Sequence, residues 1–117
     1  MSHASEYTAA LPEVPAAIRD LYVPHRASVI EENLRAFETE HPGVFDAMAH
    51  TIDMLRSQPG IAKITVDYDE EDVLYPVTIW ARTTFPLEER LARKAILEDR
   101  SDDILKRYPD LVLVAIL

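Results

Sequence analysis

One helical stripe carries side chains whose types and spacing could bind a metal ion or support a general base. Asp46, His50 and Asp53 are four and three residues apart, so on a helix they lie within hydrogen-bond reach of one another. At about 100° per residue, this stripe lies nearly opposite the apolar residues Val44 and Met48. We therefore predict that the stripe faces solvent and that no metal is bound, with these three residues as the weak metal candidates.

A second acidic cluster, formed by Asp67 and residues 69–72, could also hold a cation. The calcium loop of EF-hands needs a glycine at its sixth position and a glutamate at its twelfth. Counted from Asp67, those positions hold Asp72 and Thr78, so the motif is absent. We interpret the cluster as the charged tip of a hairpin, which keeps the turn in water.

No other pattern in the sequence predicts catalysis or cofactor binding. The chain has no cysteine, which excludes thiol catalysis, disulfides and cysteine-bound zinc or iron–sulfur centres. It has only two glycines, no Gly-x-Gly or Walker pattern, and no serine in a nucleophile elbow. We therefore expect no cofactor, assign no catalytic residue and favour a protein that is not an enzyme.

The charge of the chain narrows the classes of partner. The formal net charge is −9, and the basic residues are scattered among acidic ones. Phosphate backbones are bound by clustered lysine and arginine, so we expect neither nucleic acid nor an anionic membrane as a partner. The N-terminal residues lack the basic and apolar regions of a secretory signal, and no apolar run is long enough to span a bilayer. We expect a cytoplasmic protein.

Hydrophobic periodicity predicts an α+β domain in the order helix, helix, strand, strand, helix, strand. Residues 1–24 form an N-terminal arm, partly irregular because of its prolines, and residues 25–117 form a single α/β domain. The predicted elements are a short helix over 16–22, helices over 25–40 and 44–57, strands over 61–68 and 73–81, a helix over 87–108 and a strand over 111–117. Leu87 and Leu91 are expected among the apolar contacts of the last helix.

The order of the strands depends on Pro76. Proline cannot donate a ladder hydrogen bond, so a strand that contains Pro76 is expected at a sheet edge. We therefore predict a mainly antiparallel three-stranded sheet with the order 2-1-3 and helices packed on one face, a ferredoxin-like half. The order 1-2-3 with a bulge at Pro76 stays open.

The last predicted strand is apolar on both faces and has no charged residue to guard its edge. Val112, Val114 and Ile116 point one way, and the alternate leucines and alanine point the other. Monomeric proteins avoid such edges because they pair with other chains. Either the N-terminal arm covers this strand or a second subunit does, and we favour a homodimer formed by edge pairing or by packing of sheet faces.

The face of the sheet opposite the helices is the other place where contacts are expected. Trp80 and Arg82 lie there, and both residue types are enriched at the centres of interfaces. The interface candidates are therefore Trp80, Arg82, Val112, Val114 and Ile116. Cover by the N-terminal arm is the competing interpretation for Trp80.

These observations favour a homo-oligomeric protein-interaction or regulatory domain that is not an enzyme. The alternative is a small enzyme or ligand-binding protein with a pocket between helices and sheet, which would use His50 and Asp46 with Arg82 or Trp80. A weaker alternative is an acidic inhibitor or antitoxin that masks a basic partner.

Overall fold

The computed structural model describes residues 11–72 and 74–117. In chain order the elements are helix α1 (Ala16–Arg19), a 3₁₀ turn (Pro24–Arg26), helices α2 (Ala27–Glu40) and α3 (Val44–Arg56), strands β1 (Ile61–Tyr68) and β2 (Val77–Thr83), helix α4 (Leu87–Leu105) and strand β3 (Val112–Ile116). The predicted α+β class and the order helix, helix, strand, strand, helix, strand are confirmed. Within the described ranges, no helix is both long and apolar enough to cross a membrane.

Helices α2 and α3 meet at a short break that positions them across the sheet. Gly43 has a φ of 92°, a left-handed conformation that glycine adopts without strain. The carboxylate of Glu38 accepts hydrogen bonds of 2.8 Å from the backbone N–H groups of Gly43 and Phe45, so the end of α2 caps the beginning of α3. Both helices turn their apolar stripes inward, and Leu34 and Met48 are fully buried.

The sheet has the order β1-β2-β3, with β1 and β2 antiparallel and β2 and β3 parallel. The prediction of the order 2-1-3 was therefore wrong, and with it the ferredoxin-like arrangement; the alternative order that had been left open is the observed one. The 19-residue helix α4 provides the connection that two neighbouring parallel strands require.

The strand order was predicted wrongly because Pro76 was placed inside β2. The predicted strand over 73–81 begins only at Val77, so Pro76 precedes the ladder and removes no hydrogen bond from it. Its carbonyl instead accepts the N–H of Asp69 at 2.7 Å. Tyr75 has a φ of 61°, which is incompatible with an extended strand. Val73 lies outside the described residues. Because Pro76 leaves the ladder intact, β2 can occupy the centre of the sheet.

The two faces of the sheet differ sharply in composition. One face packs under the helices, as predicted, and its buried residues are Ile64, Val66, Val77, Ile79, Ala81, Val112, Val114 and Ile116. The other face carries no described helix. Its residues are Lys63, Thr65, Asp67, Thr78, Trp80, Arg82, Leu113, Ala115 and Leu117, and we call it the open face.

Candidate interaction surface

The outer edge of β1 is occupied by the chain itself. The backbone between α1 and the 3₁₀ turn runs parallel to β1 and bridges to it at Tyr22 and Val66. The N–H of Val66 donates to the carbonyl of Leu21 at 2.8 Å, and the N–H of Val23 donates to the carbonyl of Val66 at 3.1 Å. This edge is therefore closed to another strand at its centre.

Arg26 fastens the same segment to β1. Its Nη1 donates to both carboxylate oxygens of Asp67 at 3.0 and 3.1 Å, and its Nη2 donates to the carbonyl of Tyr68 at 3.0 Å. Both terminal nitrogens of the guanidinium are thus engaged by β1, one by the carboxylate and one by the backbone, and hydrogen bonds from a charged donor are stronger than neutral ones. These bonds hold the segment before Arg26 against the outer edge of β1.

Buried side chains anchor the described part of the arm to the helices. Val14, Ile18 and Tyr22 are buried in the core. The hydroxyl of Tyr22 donates to Oε1 of Glu31 at 3.5 Å. Burial raises the pKa of Tyr22 well above its usual range, and the nearby Glu31 carboxylate raises this pKa further. The phenol of Tyr22 therefore stays neutral to a higher pH than an exposed tyrosine.

The outer edge of β3 lacks such a cover in the described structure. The N–H of Leu117 donates to the carbonyl of Ala81 at 2.8 Å, and the N–H of Thr83 donates to the carbonyl of Leu117 at 3.0 Å. Because successive residues of a strand direct their backbone groups to opposite edges, the outward-facing groups of β3 belong to Val112, Val114 and Ile116. No described strand pairs with these groups.

The first half of α4 exposes apolar residues, and one of them, Leu91, lines a cavity together with Ile116 of β3. Leu87 and Leu91 are 77% and 82% exposed, although the sequence predicted them as core contacts. That prediction was wrong because α4 packs through Leu97, Ser101 and Leu105. A helix pattern alone does not reveal which apolar stripe meets the sheet, so no sequence signal could have shown Leu87 and Leu91 as surface residues.

The two ends of β3 carry opposite charge along α4. Near Ile116, a cavity of about 270 Å³ is lined by Arg90, Leu91 and Lys94 of the helix. Near Val112, a cavity of about 230 Å³ is lined by the acidic residues Asp102 and Asp110 and by Lys106. The surroundings of β3 are therefore cationic near Ile116 and predominantly acidic near Val112.

On the open face, Trp80 lies at the middle of the central strand, opposite Thr65. It is 38% exposed, and the neighbouring Leu113 and Leu117 on β3 are exposed as well. A cavity of about 320 Å³ on this face is lined by Val23, Lys63, Thr65, Trp80, Arg82 and Leu117. The described arm reaches the cavity only through Val23.

The predicted interface residues divide between two surfaces. Trp80 and Arg82 lie on the open face and are exposed. The side chains of Val112, Val114 and Ile116 are buried under the helices, so these three residues offer only their backbone groups to a partner. Leu113 and Leu117 were not among the predicted interface residues, although the alternation of β3 places them beside Trp80.

The residues that suggested a metal or an enzyme pocket do not converge. Asp46, His50 and Asp53 are exposed on the outer face of α3, as predicted, and the core separates them from Trp80 and Arg82 on the open face. Over residues 11–72 and 74–117, no group of three histidine or acidic side chains is placed to hold a metal ion.

The acidic cluster after β1 organises its own turn. Oδ1 of Asp69 accepts the N–H of Glu71 at 3.0 Å, and Oδ1 of Asp72 accepts the N–H of Leu74 at 3.1 Å. These side chain to backbone bonds are typical of aspartate in turns. Residues 69–72 lie in the connection between the antiparallel strands β1 and β2, as predicted for a hairpin tip, whereas Asp67 lies within β1 and binds Arg26.

The fold and this surface define a small α+β domain with one closed and one open sheet edge. No protein-family model matches the chain, and neither a curated protein nor a solved structure matches it. Functional inference therefore depends on the surfaces described above.

Proposed function

We propose that this protein is a non-enzymatic protein-interaction or regulatory domain that works as a homodimer. The observation that carries the proposal is the outer edge of β3, which no described strand pairs with, together with the exposed Leu91 of α4 near its Ile116 end. Two copies would pair their β3 strands antiparallel across a two-fold axis, which would create a continuous six-stranded sheet. A cytoplasmic location belongs to the same proposal, and fractionation of cells that express the tagged protein would test it.

The backbone of β3 fits this pairing. A strand edge presents alternating N–H and C=O groups that are a template for another strand. With the two-fold axis at Val114, the outward groups of Val112 in one copy face those of Ile116 in the second copy. The backbone bonds satisfied in this way are the ones that β3 leaves unpaired within the described chain.

The charges along α4 also support an antiparallel arrangement. Lys94 lies at the Ile116 end of β3, and Asp102 lies at the Val112 end. Lys94 and Asp102 are separated by about 12 Å along the helix. Val112 and Ile116 are separated by about 13 Å along the strand. A two-fold axis at Val114 therefore brings Lys94 of each copy beside Asp102 of the other.

The exposed leucines on α4 supply the apolar part of this interface. Leu91 lies on the same side of α4 as Lys94, one turn closer to the beginning of the helix. Leu87 lies one further turn toward the beginning. In the paired arrangement the two α4 helices run antiparallel beside each other, and each Leu91 is covered by the second copy. Burying apolar area of this kind contributes about 25 cal/mol per Å².

A proline substitution tests the outward backbone groups of β3 without removing a hydrogen bond to β2. Val114→Pro removes an outward N–H but no bond of the ladder to β2, and proline is tolerated at edge strands in that orientation. The matched control, Val114→Ala, keeps the N–H and removes two methyl groups. By analytical ultracentrifugation we expect the wild type and Val114→Ala to be dimers and Val114→Pro to be a folded monomer. A dimeric Val114→Pro variant, or a monomeric wild type at micromolar concentration, would contradict the proposal.

A further inference from the structure

The open face of the sheet carries positive charge on a strongly acidic protein. The chain has a formal net charge of −9. On this face, Lys63 of β1 and Arg82 of β2 are paired in register, so the two cations lie side by side. Asp67, which is the acidic residue of the face, is already engaged by Arg26. Among the described ion pairs, none includes Lys63 or Arg82.

An aromatic side chain adjoins these cations. Trp80 precedes Arg82 on the same face and lines one cavity with Lys63, Arg82 and Thr65. Tryptophan and arginine are the residue types that most often anchor protein interfaces. Apolar contact, a hydroxyl group and two cations are thus available within one cavity of about 320 Å³.

We propose that this face binds a short acidic segment of a partner protein. The carboxylates of the segment contact Lys63 and Arg82, and an apolar side chain next to them packs on Trp80. Two neighbouring cations can pair with two carboxylates of one peptide. They are too few to hold a nucleic acid backbone, which needs many phosphate contacts.

This site is separate from the proposed dimer interface at the β3 edge. Strand pairing at that edge leaves the side chains on the open face uncovered, since the new strand lies in the plane of the sheet. Both copies of the open face would then lie on the same side of the six-stranded sheet. The peptide site therefore exists whether or not the dimer forms.

The single tryptophan makes the site directly measurable, because all tryptophan fluorescence comes from Trp80. The probe is a capped peptide of alternating glutamate and leucine, and the control peptide has lysine in place of glutamate. We expect a saturable change of Trp80 emission with the acidic peptide only, and weaker binding as salt increases. The double variant Lys63→Glu/Arg82→Glu should bind at least roughly tenfold more weakly.

A charge-matched variant distinguishes the site from a general charge effect. Arg19→Glu/Arg56→Glu changes the net charge by the same amount at two exposed positions away from the open face. We expect it to bind the acidic peptide within about twofold of the wild type.

Three results would overturn the proposal. They are no saturable change of Trp80 emission, equal loss of binding in the two double variants, or tighter binding of a single-stranded oligonucleotide than of the peptide. Sedimentation of the same samples reports the oligomeric state, so failure of the peptide site is distinguishable from failure of the β3 edge dimer.

Discussion

The two outer edges of the sheet are treated in opposite ways by the chain. At β1, a segment of the N-terminal arm pairs with Val66 and is fastened by Arg26 to Asp67. At β3, the outward backbone groups have no partner strand in the described structure, and the exposed Leu91 of α4 lines a cavity with Ile116.

This difference supports the proposed association of two copies through β3. A chain that had to stay monomeric would protect both edges, by a cover, a bulge or a charged residue. Here one edge receives a cover made of specific hydrogen bonds, whereas the other strand is apolar on both faces and has no charge of its own. The contrast favours association through β3 and not through β1.

The largest expected effect is a loss of folding stability, and it should differ between the buried and the open side of β3. Val114→Asp places a carboxylate on the buried side, where the native side chain is 8% exposed. We expect it to lower the free energy of unfolding by more than about 3 kcal/mol. Leu113→Asp changes the open face instead and should cost less than about 1 kcal/mol. Urea denaturation measures both, and equal losses would show that the two sides of β3 are not distinct.

The next effect is at the closed edge. Arg26→Ala removes three hydrogen bonds to β1, all at a half-exposed position, so we expect a loss of about 1 kcal/mol in the free energy of unfolding. The N–H of Val66 should also exchange faster with solvent. The control is Arg19→Ala, an exposed arginine on α1. Unchanged exchange at Val66 in Arg26→Ala would mean that Arg26 does not hold the arm on β1.

Charge reversal on α4, beside β3, should weaken the proposed dimer by a free energy similar to that lost in Arg26→Ala. Lys94→Glu would face Asp102 of the second copy and raise the dissociation constant roughly tenfold, which corresponds to about 1.4 kcal/mol. The double variant Lys94→Glu/Asp102→Lys restores opposite charges and should recover the affinity. Sedimentation at several concentrations gives the constants. A double variant no tighter than Lys94→Glu would exclude this pairing of the helices.

The smallest effect concerns the anchor of the arm at alkaline pH. The pKa of Tyr22 is raised in the folded state, so its stabilising contribution is present below the ordinary value of 10.0 and is lost as pH rises from there toward the folded pKa. Relative to Tyr22→Phe, the wild type should lose about half a kcal/mol of unfolding free energy near pH 10 and more above it. Parallel pH profiles of the two proteins would contradict this.

The secondary structure was largely predictable because the apolar residues follow clear periods. Alternation along β1 and β2 and the helical spacing in α2 and α3 each correspond to a buried face. The strand order was not predictable in the same way, since it depended on whether Pro76 lies inside β2 or one residue before it. That choice follows from the backbone of Tyr75, which propensity does not fix.

The surfaces were predictable only in part. The sequence indicated Trp80 and Arg82 as an exposed pair and β3 as an unguarded edge, and both residues lie exposed on the open face while β3 lies at the edge of the sheet. It did not indicate that β1 would be closed by the segment around Tyr22, because that pairing involves one bridge without sequence alternation. The exposed Leu87 and Leu91 depend on how α4 is rotated against the sheet, which is set by tertiary packing.

Residue-resolved amide hydrogen exchange at two protein concentrations tests the edge dimer most directly. The N–H groups of Leu113, Ala115 and Leu117 point toward β2, and those of Val112, Val114 and Ile116 point outward. We predict that the N–H groups of Val112, Val114 and Ile116 are protected at high protein concentration and exchange rapidly on dilution. The N–H groups of Leu113, Ala115 and Leu117 should stay protected at both concentrations. Rapid exchange of the outward group at every concentration, in a protein that sediments as a dimer, would contradict pairing through β3.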